Sequence, residues 1–157
     1  MKILSSLHLK ELDKYTIVHE PIASIDLMER AAIALTDAIV RRWDKSFKMA
    51  IFAGPGNNGG DALAVARMLS KKDYHVEVFL FNTKGQLSEE CQINLNRMKT
   101  CGSIYFTEIR TQFDPPELTE NHVVIDGLFG NGLNKPLSGG FASVVKYINT
   151  SKAQVVA

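Results

Sequence analysis

Two loops rich in glycine, amide and carboxylate groups hold most of the residues in this 157-residue sequence that could do chemistry. The first is Gly-Pro-Gly-Asn-Asn-Gly-Gly-Asp at residues 54–61, which follows an apolar run at 48–53. Its four glycines permit positive φ angles and let backbone amides approach an anion closely. Asn57 and Asn58 supply amide oxygens for a hard cation and N–H donors for a sugar, whereas Asp61 can cap a helix or contact ligand hydroxyls. The pattern predicts an anion-binding loop.

The second loop, residues 126–136, reads Asp-Gly-Leu-Phe-Gly-Asn-Gly-Leu-Asn-Lys-Pro and follows a second apolar run at 122–125. Its first residue, Asp126, can bind a cation or act as an acid or base, although an Asp-Gly pair can also simply cap a turn. The glycines leave backbone amides free, and Lys135 can offset the charge of a phosphate. If both apolar runs are parallel strands, the two loops emerge at one edge of a sheet and form one pocket.

Two common nucleotide-binding patterns do not fit the first loop. Gly54, Gly56 and Gly59 match Gly-x-Gly-x-x-Gly, but a conventional NAD site also needs an acidic residue at the end of the second strand. That region reads Leu-Phe-Asn-Thr-Lys at 80–84, and Glu77 comes too early in the strand. An NAD-dependent oxidoreductase is therefore disfavoured. The loop also lacks the Gly-Lys-Ser/Thr of a Walker sequence.

Hydrophobic periodicity predicts the elements that position the two loops. A first helix is capped by Ser24 and has an apolar stripe that packs on the core or on a partner subunit. Strands and helices then alternate, which predicts an α/β fold: a three-layer αβα Rossmann-like sandwich with a mainly parallel sheet, forming a single domain over 1–157. The stripe consists of Ile25, Met28, Ala32, Leu35 and Ile39; strands are predicted at 48–53, 75–81, 103–106, 122–125 and 154–157, and helices at 61–72, 89–101 (capped by Ser88) and 141–149.

Composition narrows the class of protein. With 18 Lys plus Arg against 17 Asp plus Glu, the chain has no charge excess of the kind that holds nucleic acid or a membrane surface, so neither is expected as a partner. No apolar run reaches the length of a membrane span. Cys91 and Cys101 are too few for a disulfide framework and are expected to be ordinary thiols in a reducing cytoplasm. His75 and His122 fall outside both loops and are expected to be packed or solvent-facing.

The motifs closely resemble those of the YjeF N-terminal domain family. The residues concerned are Gly-Pro-Gly-Asn-Asn-Gly-Gly-Asp at 54–61 followed by Ala64-x-x-Arg67, and then Asp126-x-x-Phe129-Gly130-x-Gly132. Met28-Glu29-Arg30-Ala31 in the first helix fits as well, and the resemblance extends from about residue 5 to the end. Members of this family are NAD(P)H-hydrate epimerases, which interconvert the C6 epimers of a damaged, hydrated nicotinamide cofactor, and many are fused to a dehydratase.

The resemblance implies a potassium-assisted epimerase whose substrate is hydrated NADH or NADPH. Asn58 and Asp126 would be potassium ligands, and Asp126 is the best candidate for the catalytic acid and base, with Asp61 in reserve. A homodimer in the cytoplasm is expected, with a fused or separate dehydratase as a further partner. The residues that would contact the dinucleotide are Asn57, Asn58, Gly59, Gly60, Asp61, Gly130, Asn131, Gly132, Leu133, Asn134, Lys135 and Pro136.

The sequence departs from the family pattern at two places. Ala62 replaces a glycine after the first loop, which should firm the following helix without removing a ligand. The sequence also stops at Ala157, before the family's Asp-x-Pro-Ser-Gly motif, which provides another substrate-binding aspartate and a potassium-binding serine. The domain is therefore expected to be incomplete at its C-terminus. The alternative to an enzyme is a non-catalytic nucleotide-binding or scaffold module of the same fold.

Overall fold

The computed structural model describes residues 23–129 and 139–157. Strands and helices alternate along these ranges, as the periodicity predicts. The helices are α1 (Ser24–Arg42), α2 (Asn57–Lys71), α3 (Glu89–Lys99) and α4 (Gly139–Thr150), and the strands are β1 (Lys48–Ala53), β2 (Val76–Phe81), β3 (Ile104–Ile109), β4 (His122–Gly127) and β5 (Gln154–Val156).

The five strands form one parallel sheet in the order β3-β2-β1-β4-β5. From β1 the chain first adds strands on one side and then returns to add β4 on the other, so the direction of winding reverses between β1 and β4. Ligands of open parallel sheets bind at such a reversal, beyond the carboxyl ends of the strands. The register places Phe52 beside Asp126 and Ala53 beside Gly127.

Helices cover both faces of the sheet, which confirms the predicted three-layer αβα sandwich. Alternate residues of β1, such as Met49 and Ile51, pack with α1, α2 and α3 in one core. Their neighbours Ala50 and Phe52 pack with α4 in the second core. Because the central strands are buried on both faces, they consist of continuous apolar runs rather than alternating patterns.

The first helix packs on the core of its own chain. Met28, Ala32 and Ile39 of the predicted stripe are buried, and the latter two belong to the core that α1 shares with the sheet. These residues pack against their own chain, so they give no support to a dimer contact, and the homodimer stays a prediction. The predicted cap is wrong: Ala23 precedes the helix, and the Ser24 hydroxyl instead donates to Glu90 Oε1 at 2.6 Å.

Two strands extend beyond their predicted ends. β3 continues to Ile109, because an edge strand with one half-exposed face tolerates polar residues such as Thr107 and Glu108. β4 includes Asp126 and Gly127, since the ladder with β1 continues after the apolar run has ended. No helix within the described residues is both long and apolar enough to cross a membrane.

Candidate functional site

The first loop meets the first residues of the second loop, 126–129, where β1 and β4 end side by side. The Gly54 amide donates to the Gly127 carbonyl at 2.9 Å, so the turn after β1 lies directly against the end of β4. The ladder brings Asp126 next to the last residues of β1. The structure thus places the first loop and Asp126 together at one edge of the sheet, as expected for the carboxyl ends of parallel strands.

Glycine is required here by close packing, not by unusual backbone angles. A Cβ at Gly54 would lie 2.1 Å from the Leu128 carbonyl oxygen, and one at Gly59 would lie 1.8 Å from the Gly54 carbonyl oxygen. At Gly127 it would lie 2.5 Å from the Ala62 Cβ. The glycines of the first loop do not adopt the positive φ angles that they permit, since Gly85 is the one glycine of the described ranges with such an angle.

Helix α2 begins at Asn57, four residues earlier than predicted. Gly56 occupies the N-cap position in an extended conformation without a side-chain cap, and the Gly60 amide donates to the Gly56 carbonyl at 3.1 Å. Asp61 therefore lies within the helix and does not cap it. The amides of the first helical turn point out of the helix without intrahelical partners, an arrangement that favours a bound anion.

A side-chain hydrogen bond joins the two loops directly. Asn58 Nδ2 donates to the Phe129 carbonyl oxygen at 2.7 Å, which leaves Oδ1 as the acceptor of this amide. Asp126 Oδ1 accepts from the Leu128 amide at 3.1 Å. The carboxylate therefore caps the Asp-Gly turn, which is the structural role that the sequence allows for this residue. This hydrogen bond involves Oδ1 of a half-buried side chain.

Three of the predicted polar residues line one small pocket of about 170 Å³. Asn58, Asp61 and Asp126 contribute its polar atoms. The rest of the wall is apolar and comes from α1, α2 and the ends of β4 and β5; it includes Ala31, Ala32, Leu35, Val65, Ile125 and Val156. A carboxylate pair and an amide in an apolar surround can bind a cation or move a proton on a bound ring.

A larger cavity of about 570 Å³ lies beside the first loop. Pro55 and Gly56 line it on one side, Leu128 and Phe129 on another. Its third wall is the connection between β2 and α3, and includes Thr83 and Lys84. Residues of both loops therefore line each cavity. A ligand longer than a single ring could extend from one cavity to the other along the loops.

Other predicted site residues have different surroundings. Asn57 is exposed, whereas Gly59 and Gly60 are buried. A Cβ at Gly60 would lie 3.2 Å from Cys91 Cα and from Met28 Sδ, so this glycine allows α2 to pack against α1 and α3. The predicted contact residues Gly130, Asn131, Gly132, Leu133, Asn134, Lys135 and Pro136 lie outside the described residues.

Cys91 lies under the first loop as a structural thiol. Its side chain is fully buried, and Sγ lies 3.7 Å from the Gly54 carbonyl oxygen. Burial raises the pKa of the Cys91 thiol to about 11, which keeps it protonated and unreactive at neutral pH. Both cysteines are free, as expected from their number.

An ion pair that the sequence alone does not predict connects α1 to α2. Arg67 Nη2 lies 2.6 Å from both carboxylate oxygens of Glu29, and Arg97 Nη1 lies 3.6 Å from Glu29 Oε2. Arg67 is 9% exposed and Glu29 is half-buried. Glu29 and Arg67 both belong to motifs that the sequence contains, but the contact between the two side chains depends on how the two helices cross.

Comparisons with known proteins agree with this arrangement. An NAD(P)H-hydrate epimerase of Limosilactobacillus fermentum is 34% identical over 154 residues, covering 98% of this chain and 71% of that protein. The protein of the same name from Oenococcus oeni is 34% identical over 155 residues, with the same coverage of both. The crystal structure of yeast ynu0 superimposes with a TM-score of 0.76 at 23% identity, covering 94% of this chain and 65% of that chain, a likeness that shows the fold alone.

The family described as YjeF-related protein N-terminus matches residues 24–157. The match includes every described helix and strand and both loops at the reversal between β1 and β4. By this match and by its curated relatives, the chain belongs to the YjeF N-terminal family.

Proposed function

We propose that this protein is an isomerase that interconverts the two C6 epimers of hydrated NADH and NADPH, a repair of damaged cofactor. The observation that carries the proposal is the pocket in which Asn58, Asp61 and Asp126 meet at the reversal of the sheet. Relatives that are 34% identical over 98% of this chain have the name NAD(P)H-hydrate epimerase. The site and the relatives thus favour the same reaction.

The proposed substrate would use both cavities beside the first loop. A pocket of about 170 Å³ would have room for one hydrated nicotinamide ring, and the cavity of about 570 Å³ would have room for the adenosine half. Between them, the amides that open α2 favour the negative charge of a pyrophosphate. The substrate would then extend across the sheet edge, as dinucleotides do in other open parallel sheets.

The reaction requires proton transfer and no change of redox state. The C6 hydroxyl leaves as water when an acid protonates it, while the lone pair of the ring nitrogen forms a C=N⁺ bond. A water molecule then attacks C6 from the opposite face, the electron pair returns to nitrogen, and a base accepts the proton of the water. One carboxylate can act first as the acid and then as the base.

Asp126 is our candidate for this carboxylate. Its hydrogen bond from the Leu128 amide fixes the side chain at the wall of the pocket, so the group is oriented before a ligand arrives. Asp61 lines the same pocket and is the second candidate. Asn58 is held by the Phe129 carbonyl oxygen and would position the ring or its amide.

The side chains in this pocket also fit a potassium ion. Potassium is a hard cation that prefers oxygen ligands, and the Asn58 amide oxygen and the Asp126 carboxylate would be its ligands. Among the described residues no group of three or more His, Cys, Asp and Glu could hold a metal, so a site for a transition metal is not indicated there. When bound, the cation would offset the charge of the substrate phosphates.

The test is to follow epimer interconversion by chromatography with one purified epimer of hydrated NADH or NADPH. We expect Asp126→Asn to lower kcat by about 100-fold or more, since general acid–base groups contribute roughly that much. Asparagine keeps an oxygen that can accept from the Leu128 amide, so the fold should persist. Asp73→Asn is the matched control, because Asp73 is exposed and lies in the turn between α2 and β2, away from the pocket.

Two results would contradict the proposal. A protein that binds the hydrated cofactor but does not interconvert its epimers, in potassium buffer, would be a non-catalytic nucleotide-binding module. An Asp126→Asn variant with unchanged kcat and unchanged dependence on potassium would remove Asp126 from the site and leave Asp61 as the carboxylate to be tested.

A further inference from the structure

The connection between β2 and α3 forms a fixed wall of the larger cavity. Ser88 caps α3 by accepting from the Cys91 amide at 3.2 Å, and the Ser88 amide donates to the Pro55 carbonyl at 2.9 Å. The connection is thereby tied to the first loop. Thr83, Lys84 and Gln86 of this connection line the cavity, as does Phe129.

A tight turn sets the position of Lys84 directly after β2. The Gly85 amide donates to the Asn82 carbonyl at 3.2 Å, and Gly85 has a φ of +70°, a left-handed angle that glycine adopts without strain. Lys84 is therefore the third residue of a turn whose first residue, Asn82, follows the last residue of the strand. The Arg110 guanidinium lies under the same turn, 3.2 Å from where a Gly85 Cβ would be.

In dinucleotide-binding sheets this position faces the 2′ carbon of the adenosine ribose. A carboxylate there binds the 2′-hydroxyl of NAD, whereas a cation accommodates the 2′-phosphate of NADP. In this protein Asn82 directly follows β2 and is 4% exposed. No acidic residue follows it before α3, since the connection reads Asn-Thr-Lys-Gly-Gln-Leu-Ser at 82–88.

A carboxylate at this corner, on the adjacent strand, is already engaged. Glu108 Oε1 accepts from Asn82 Nδ2 at 2.9 Å and lies 3.1 Å from Arg110 Nη2. By contrast, Lys84 is exposed and has no ion-pair partner among the described residues. The corner therefore presents an unneutralised ammonium group to the cavity.

We propose that Lys84 recognises the 2′-phosphate of the adenosine ribose, so that the site takes hydrated NADPH in preference to hydrated NADH. The inference rests on the proposed function for the identity of the ligand. A phosphomonoester carries close to two negative charges at neutral pH, and an ammonium–phosphate contact is charge-assisted. Hydrated NADH has only a neutral hydroxyl at this position and gains nothing comparable.

Binding of adenosine fragments tests the proposal without any turnover. We expect calorimetry to show that the protein binds adenosine 2′,5′-bisphosphate about tenfold more tightly than adenosine 5′-monophosphate, the size of one charge-assisted contact. Lys84→Met should remove this difference. Lys72→Met, the matched control, removes an exposed lysine at the far end of α2 and should retain it. Equal affinity of the protein for the two fragments, or a difference that persists in Lys84→Met, would overturn the proposal.

Kinetics separates this inference from the proposed function. The protein should show a higher kcat/KM for hydrated NADPH than for hydrated NADH, and Lys84→Met should lower the ratio of the two values about tenfold while Lys72→Met leaves it unchanged. If the protein epimerises neither hydrate but still binds the bisphosphate through Lys84, the proposed function fails and the 2′-phosphate site stands. If it epimerises both hydrates with a ratio that Lys84→Met does not alter, the reverse holds.

Discussion

Individual glycines at the reversal of the sheet set how closely three backbone segments approach one another. Gly59, in the first turn of α2, packs against the carbonyl of Gly54. Gly54 in turn packs against the carbonyl of Leu128. These contacts bring the start of α2 against the end of β4, and so allow Asn58 to reach the Phe129 carbonyl. Backbone packing at single residues thus determines the geometry of the pocket.

Alanine at position 59 should therefore be strongly destabilising. A Cβ at 1.8 Å from the Gly54 carbonyl oxygen cannot be accommodated without moving the helix or the loop, and such overpacking costs about 3 kcal/mol. Gly102→Ala is the control, because nothing lies within 4 Å of a Cβ at that position. Urea unfolding measures both variants, and an equal free energy of unfolding for the two would show that Gly59 is not held by this contact.

At the scale of whole elements, the sequence predicts the type and order of every described helix and strand, but not all of their ends. The start of α2 is the largest discrepancy. Asn57, Asn58, Gly59 and Gly60 have low helix propensity and suit a loop by local criteria. Within this turn, Gly59 packs against Gly54 and Gly60 packs against Cys91 and Met28, and such contacts between distant segments cannot be derived from propensity.

A partly buried ion pair joins α1 to α2. Glu29 of α1 and Arg67 of α2 have side-chain exposures of 28% and 11%, so the pair is shielded from water. Ala31, Ala32 and Leu35, in the next turns of α1, line the small pocket. A helix that shifts when the ion pair is broken would therefore change the shape of the proposed ring site.

We expect Glu29→Gln to lower the free energy of unfolding by about 2 kcal/mol, because Arg67 would remain buried without its carboxylate. The double variant Glu29→Gln with Arg67→Met should recover part of this loss, since no unpaired charge then remains buried. Asp73→Asn, which breaks the exposed pair with Lys45 at 3.9 Å, should have an effect below about 0.5 kcal/mol. A double-mutant cycle without coupling energy between positions 29 and 67 would argue against this role.

For the whole molecule, the alternation of strands and helices is sufficient to predict that both loops lie at one sheet edge. This follows from parallel topology, and it correctly brings Asn58, Asp61 and Asp126 to one pocket. The sequence does not predict the wall formed by residues 83–88, because its position depends on the hydrogen bond between Ser88 and Pro55. The sequence alone therefore does not place Lys84 beside the larger cavity.

The opposite end of the sheet should make the stability of the whole molecule depend on pH. His122 opens β4, and its Nδ1 accepts from the Thr119 amide at 3.1 Å, a bond that the protonated ring cannot make. Burial lowers the pKa of His122, as do the positive charge of Lys48 and the nearby His75, and these effects exceed the opposing influence of Glu77 and Glu117.

The sign of the pH effect follows from proton binding. The unfolded chain, in which histidine has a pKa near about 6.5, binds the proton more readily than the folded protein does. The stability that His122 contributes is therefore fully present above that pH and is lost as the pH falls through the lower pKa of the folded state.

We expect the free energy of unfolding to decrease between about pH 7.5 and about pH 5.5, and to decrease less in His122→Asn, which keeps an acceptor but does not titrate. Gly102→Ala is the control, since it adds no titratable group and a Cβ there has nothing within 4 Å. Denaturant unfolding at a series of pH values measures the effect, and parallel curves for the protein and His122→Asn would assign the pH dependence to other groups.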